Sequence, residues 1–164
     1  MTQLTTAQKA YIAGFIDGDG CINAQIVRRP DYKLHYQVRV TLTFFQKTSR
    51  HWILLQLHKL LKLGTLRKRN DGMSEYAIVG KASVKNCLQL LYPYLRLKKL
   101  HARRVLQIIT QLQKDQDPQA FVKLCEVVDT FQDLNDSKMR TVTSQIVRSH
   151  FLELNLLPVP VETI

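Results

Sequence analysis

From Ile22 to Phe44 apolar and polar residues alternate almost without a slip, and no other stretch constrains the fold as tightly. Ile22, Ala24 and Ile26 fall on one face, while Asn23, Gln25, Val27 and Arg29 fall on the other. After a turn at Pro30–Asp31, Tyr36, Val38, Val40, Leu42 and Phe44 continue the apolar face, and Gln37, Arg39, Thr41 and Thr43 the polar one. A period of two over this length predicts a β-hairpin with one buried and one wet face. A shorter hairpin is expected over 65–69 and 74–79, joined through Asn70, Asp71 and Gly72. There Leu66, Tyr76 and Ile78 can face inward, whereas Arg67, Arg69 and Glu75 are polar.

Helices surround these strands. Thr5 and Gln8 form a capping-box pattern ahead of the apolar run Ala10, Tyr11, Ile12, Ala13, Phe15 and Ile16, which Gly18 and Gly20 should end. Trp52, Leu55, Leu57, Leu60 and Leu61 predict a helix over about 48–62. Further helices are expected over 81–91, about 97–113, after the Asp117 cap with Pro118 in its first turn, and about 141–154. In the helix after Asp117, Phe121, Leu124, Cys125, Val128 and Phe131 recur at helical spacing. The fold class is thus α/β, ordered helix, hairpin, helix, hairpin, helices, with one four-stranded antiparallel sheet. The expected organisation is a single domain over 1–154 and an irregular tail over 155–164.

Charge narrows the partners. The 164 residues carry 24 Lys and Arg against 13 Asp and Glu, a formal net charge of +11, which points to a polyanion without separating DNA from RNA. No apolar run is long enough to span a membrane, and the first nine residues show no secretory pattern. Cys21, Cys87 and Cys125 lie far apart in no CxxC unit, arguing against disulfides and structural zinc. The five histidines show no metal-binding spacing, and no phosphate-loop motif occurs.

Gln25, Arg29, Gln37, Arg39, Arg67 and Arg69 project from the wet face, with Asn23, Thr41, Thr43 and Glu75 between them. Arg and Gln suit guanine and adenine edges, Thr can meet a thymine methyl, and a two-stranded ribbon enters a major groove. The same pattern also suits an ordinary solvated sheet whose basic residues protect its edges. Two further basic clusters, Arg96, Lys98, Lys99, His101, Arg103 and Arg104, then Lys138, Arg140 and Arg148, suit phosphates.

Residues 12–20, Ile-Ala-Gly-Phe-Ile-Asp-Gly-Asp-Gly, resist a bland explanation. Ala10, Gly14 and Gly18 form a ridge of small residues that would let another helix approach closely, and Gly14 costs about 1 kcal/mol of helix stability unless packing requires it. Asp17 and Asp19 stand at the negative end of the helix dipole, where backbone carbonyls also lack partners. A divalent cation would answer both problems, and an all-oxygen shell suits Mg²⁺. An Asp-Gly-Asp-Gly turn that simply caps a helix and opens a strand is the other reading.

This segment resembles the motif helix of the LAGLIDADG homing endonucleases, especially the single-motif group that works as homodimers. Gln46-Lys47-Thr48, Trp52, Tyr92-Pro93-Tyr94-Leu95, Leu97-Lys98 and Leu134-Asn135-Asp136-Ser137-Lys138 extend the resemblance over residues 7–150. It implies a homodimer with Ala10, Ala13, Gly14, Asp17 and Gly18 in the interface. It also implies that Asp19, with the Gly18 carbonyl, holds Mg²⁺, or Mn²⁺ or Ca²⁺ in its place, and that Gln46, Arg50 and Lys98 surround the water pocket. The implied partner is double-stranded DNA with a long, roughly palindromic site, cut across the minor groove to leave short 3′ overhangs. Val27, Tyr32 and Ala77 complete the expected DNA-facing set, and Lys138 and Arg140 would contact phosphate. Phe45 is larger and more apolar than the resemblance leads one to expect. Action in an organelle is implied, chloroplast ahead of mitochondrion. A splicing maturase or a cleavage-inactive nucleic-acid binder would share the charge and the sheet without needing Asp19.

Overall fold

A computed structural model describes residues 4–135 and 140–158. Helix α1 (Thr6–Asp19) leads directly into β1 (Gly20–Arg28), followed by β2 (Tyr36–Lys47), a 3₁₀ turn at Thr48–Arg50 and α2 (His51–Leu61). Strands β3 (Thr65–Lys68) and β4 (Met73–Val79) precede α3 (Lys81–Leu91), a 3₁₀ turn at Tyr92–Tyr94 and α4 (Lys99–Gln111). Helix α5 (Pro118–Asp129), a 3₁₀ turn at Thr130–Asp133 and α6 (Ser144–Glu153) complete the order. The four strands form one sheet in the order β1-β2-β4-β3, with β4 antiparallel to both β2 and β3.

Local chemistry explains the boundaries. Thr5 accepts from the Gln8 N–H at 3.2 Å while Gln8 Oε1 accepts from the Thr5 N–H at 2.9 Å, closing the expected capping box. At the other end of α1 the chain turns straight into a strand at Gly20, where a Cβ would lie 2.6 Å from the Ile16 Cα, so only glycine fits. Asp117 caps α5 through the Gln119 and Ala120 N–H groups, with Pro118 in the first turn.

The chain divides into two compact units, 1–23 with 40–109, and 24–39 with 110–164. In the first, Ile12, Ile16, Leu42, Phe44, Leu54, Leu57, Tyr76, Ile78 and Leu88 are fully buried. Phe44 stacks on its cross-strand partner Tyr76 at 5.3 Å and tilts against Phe15 at 5.8 Å. Phe44→Ala should therefore cost about 3–5 kcal/mol of unfolding free energy, readable in urea denaturation. In the second unit, Phe151 of α6 meets Phe121 and Tyr36, each at 6.1 Å, over a core that includes Phe131, Val128 and Cys125.

Burial alternates residue by residue through β1 and β2, as the period of two predicts. Several expectations need correction. Trp52 and Leu55 are 54% and 43% exposed, whereas Leu54, Leu57 and Leu61 are buried. The helical phase therefore sits on 54, 57 and 61, and 52 and 55 fall on a neighbouring stripe. The expected single helix over 48–62 is a 3₁₀ turn followed by α2, ended by Lys62 in the left-handed region at φ 54°. The helices expected over 97–113 and 141–154 are shorter, as α4 and α6. Residues 155–158 carry no helix or strand, as expected of the tail, and pack through buried Leu157 and the Leu156 N–H, which donates to the Phe151 carbonyl at 2.8 Å.

Candidate active site

The end of α1 gathers the chemistry. Asp19 is exposed at the last helical position, and its Oδ2 accepts a hydrogen bond from Gln46 Nε2 of β2 at 2.9 Å. That bond fixes the amide of Gln46: its NH₂ faces Asp19, leaving Oε1 as an acceptor. Lys98 comes from just ahead of α4, and its ammonium donates to the Ile16 carbonyl at 2.8 Å and the Asp17 carbonyl at 2.7 Å. The structure thus supplies the cation that the sequence near Asp17 and Asp19 lacks, placed at the negative end of the helix dipole. One N–H of that ammonium is left for another acceptor.

Asp17 is half-buried, and both its oxygens are engaged: Oδ1 accepts from the Lys98 N–H at 2.9 Å and Oδ2 from the Arg96 N–H at 2.7 Å. Cys21 is half-buried beside this end; burial pushes its thiol pKa up while the Lys98 charge opposes that shift. It is a poor thiolate nucleophile. Arg50 is exposed at the end of its 3₁₀ turn.

The donor set suits a hard divalent ion. Asp19 retains free lone-pair sites beside the Gln46 contact, and the Gly18 carbonyl is next to it, an all-oxygen arrangement of the kind Mg²⁺ and Ca²⁺ take. Among the described residues no group of three or more His, Cys, Asp or Glu could hold a metal ion. A divalent ion held by Asp19 and the Gly18 carbonyl would need further oxygen ligands, of the kind water and substrate phosphates supply where one or two carboxylates bind Mg²⁺.

The expected interface helix presents Ala10, Gly14 and Gly18 as an exposed ridge, with Tyr11 beside it at 52% exposure. A Cβ added at Gly14 or Gly18 would meet nothing within 4 Å, so nothing among the described residues requires glycine at either position. Ala13 must be withdrawn from that interface: it is fully buried within the protomer, whereas Gly14 next to it is exposed. Asp17, expected there too, is half-buried and its carboxylate accepts from the Arg96 and Lys98 backbone.

The polar sheet face carries preorganised arginines. In the first unit, Glu75 accepts from Arg67 Nε at 3.0 Å and lies 3.8 Å from Arg69, which also pairs with Asp71 at 2.6 Å. Asn23, Thr41, Thr43 and Ala77 are half-buried, as the outward positions of alternating strands are, and Phe45 stands opposite Glu75. In the second unit, Arg29 donates from Nε and Nη2 to Asp31 at 2.9 and 2.7 Å, and from Nη1 to Gln37 at 3.2 Å, over the ring of Tyr32 at 4.5 Å. That hydrogen bond holds the Asp31 carboxyl below its ordinary pKa, so the clamp outlasts normal Asp titration and is lost only as pH falls through the depressed value. Gln25, Val27 and Arg39 are half-buried in the same unit. Lys138 lies outside the described residues.

Two members of the basic clusters have partners within the chain. Arg140 is half-exposed, donates from Nη1 to the Ala24 carbonyl at 3.0 Å, and has its pKa lowered by burial with Asp129 opposing. Arg148 pairs with Glu126 at 2.6 Å. Sequence reasoning missed Ser74, fully buried on β4, whose hydroxyl donates to Thr48 Oγ1 at 3.2 Å. No helix among the described residues is long and apolar enough to cross a membrane.

The family model described as LAGLIDADG endonuclease matches residues 12–113, which take in the end of α1, Gln46 and Lys98. The chain belongs to the LAGLIDADG endonuclease family. The DNA endonuclease I-CvuI of Chlorella vulgaris is 52% identical to it over 139 residues, 85% of this chain and 86% of that protein. The DNA endonuclease I-CreI of Chlamydomonas reinhardtii is 41% identical over 140 residues, covering 85% of each. A crystal structure of the homing endonuclease I-CvuI in complex with its target in the presence of calcium superposes with a TM-score of 0.87 at 49% identity, covering 91% of this chain and 95% of that one. The I-CvuI complex with the I-CreI target in the presence of magnesium, its DNA uncleaved, matches equally well. The LAGLIDADG helix is therefore α1, and the acid–glycine end of that helix is the family's motif in this chain.

Proposed function

We propose that this LAGLIDADG endonuclease acts as a homodimer on a long, roughly palindromic double-stranded DNA site, hydrolysing both strands across the minor groove and leaving short 3′ overhangs. The observation that carries the reading is the convergence of Asp19, Gln46 and Lys98 on one helix end. A palindrome follows from a two-fold dimer, which presents two copies of the sheet and two of the helix end. Ala10, Gly14 and Gly18 form the seam, because their exposed ridge has no intramolecular use for glycine.

Asp19 and the Gly18 carbonyl would hold the divalent ion, Mg²⁺ for cleavage, with Mn²⁺ or Ca²⁺ as other occupants of the site. An ion held there would supply Lewis acidity toward the scissile phosphate and toward water. Gln46, oriented by Asp19, offers Oε1 to a proton of the attacking water and aims it at phosphorus. Lys98 directs its remaining N–H at a phosphate oxygen and stabilises charge developing there. Arg50 contributes a second positive charge to the water and phosphate network. Arg67, Arg69, Arg29, Gln25, Gln37, Arg39 and their half-exposed neighbours read base edges, while Lys138 and other basic side chains supply phosphate affinity. The enzyme works in an organelle, with the chloroplast the first choice.

The test is a cleavage selection on a randomised long DNA library with Mg²⁺, alongside EDTA and a matched RNA. Metal-dependent double-strand cuts at two-fold-related positions are expected. Recovery of bound but uncut DNA, or of RNA instead, would overturn the reading. The same selection run on Glu75→Gln should show relaxed base preference, by roughly tenfold at the positions read by Arg67 and Arg69, since each good bidentate contact is worth about 1–3 kcal/mol. Overall affinity should not fall, because a negative charge has been removed.

A further inference from the structure

We infer that Asp17 is a positioning residue for cleavage, acting through Lys98 and not through the dimer seam; the inference rests on the endonuclease reading above. An acid in the last turn of α1 is unfavourable for that helix's dipole. The cost is offset from α4. Lys98 is the N-cap of α4, since its carbonyl accepts from the Ala102 N–H at 3.0 Å, and the Asp17 carboxylate accepts the N–H groups of Lys98 and Arg96 there. One carboxylate thus faces the negative end of one helix and the positive end of another, and the second arrangement adds two charge-assisted hydrogen bonds.

The connection is reciprocal. Asp17 holds the Lys98 main chain with its side chain, and Lys98 holds the Asp17 main chain with its ammonium, at 2.9 and 2.7 Å. This double tie joins positions 81 residues apart and leaves Lys98 Nζ on the carbonyls immediately before Gly18 and Asp19. Cut the carboxylate end of the tie and the loop carrying Lys98 is no longer pinned, although Asp19 and Gln46 keep their own contact. Asparagine breaks it specifically, because the residue then offers one acceptor where two N–H groups converge.

The test is a double-mutant cycle of D17N, K98M and the double variant, read as single-turnover cleavage at saturating DNA together with DNA affinity and sedimentation. D17N should lose about 100-fold in rate, the order that a misplaced catalytic group costs. Its affinity and its dimer should stay as in the parent. In the K98M background D17N should cost little more, because Asp17 has nothing left to position. Multiplying losses, or a D17N protein whose defect is dissociation into protomers, would overturn the inference. Should D17N fail to fold, D17S keeps one acceptor and carries the same cycle. An independent readout is the ¹⁵N resonance of the Lys98 ammonium, held by its two carbonyl contacts in the parent and expected to be lost in D17N or D17S; its persistence in the variant would also overturn the inference. A parent protein that cuts no DNA but shows the Lys98 signal lost in the variant would refute the endonuclease reading and leave the tie established.

Discussion

Asp19→Asn should bind DNA at least as tightly as the parent and cut it at least about a thousandfold more slowly. The substitution is isosteric and removes one negative charge from the surface proposed to meet phosphates, so affinity has no reason to fall. The rate has every reason to. Asp19 is the carboxylate at the helix end, and the Gln46 amide proposed to orient water donates to it. The variant side chain would offer a neutral carbonyl or an NH₂ group there, weakening divalent-ion binding and confusing the amide orientation. Losing several kcal/mol of transition-state stabilisation corresponds to a factor of about a thousand or more. Equilibrium binding in Ca²⁺ and single-turnover cleavage in Mg²⁺ separate the two effects. Undiminished cleavage would remove Asp19 from the chemistry.

Gly14→Leu should act with opposite signs on the protomer and the dimer. Inside one chain a Cβ at Gly14 meets nothing within 4 Å, and replacing glycine in a helix interior gains about 1 kcal/mol of helix propensity. The protomer should therefore unfold at equal or higher temperature. Across a two-fold seam the same side chain is inserted twice into a close helix approach, and overpacking of about 1–3 kcal/mol per site would weaken the dimer by roughly 2–6 kcal/mol. Sedimentation should show protomers at concentrations where the parent is dimeric, and cleavage of a palindromic site should fall with the dimer. A Gly14→Leu protein that stays dimeric would place the seam elsewhere.

Short-range patterns are legible in the sequence and long-range partnerships are not. Alternation over 22–44 needs only the pleat of a strand to be read, and burial follows it at nearly every position of β1 and β2. The Thr5–Gln8 and Asp117 caps are likewise local, closing within three residues. The phase of α2 escapes such reading because Leu and Trp occupy much of its surface, so the sequence offers several stripes and tertiary packing chooses Leu54, Leu57 and Leu61. The Lys98 contacts with the end of α1 cannot be read from spacing at all: only the family resemblance brings Lys98 to that helix, and it does not say which atoms meet. Nor does any local pattern show that Ala13 turns inward while Gly14 turns outward. Ser74 breaks the polar-out rule because its hydroxyl finds Thr48, a partner 26 residues away.

The strict alternation of β1 and β2 has an evolutionary consequence. Each residue that holds the core together is followed by one that does not, so the two sets can change independently. Exchanging Gln37 or Thr43 leaves Val38 and Phe44 where they are, so a sheet that reads bases as proposed could change its preference one base at a time without passing through an unfolded intermediate. Under the proposed DNA-reading role, such separability would permit retargeting on an unchanged scaffold.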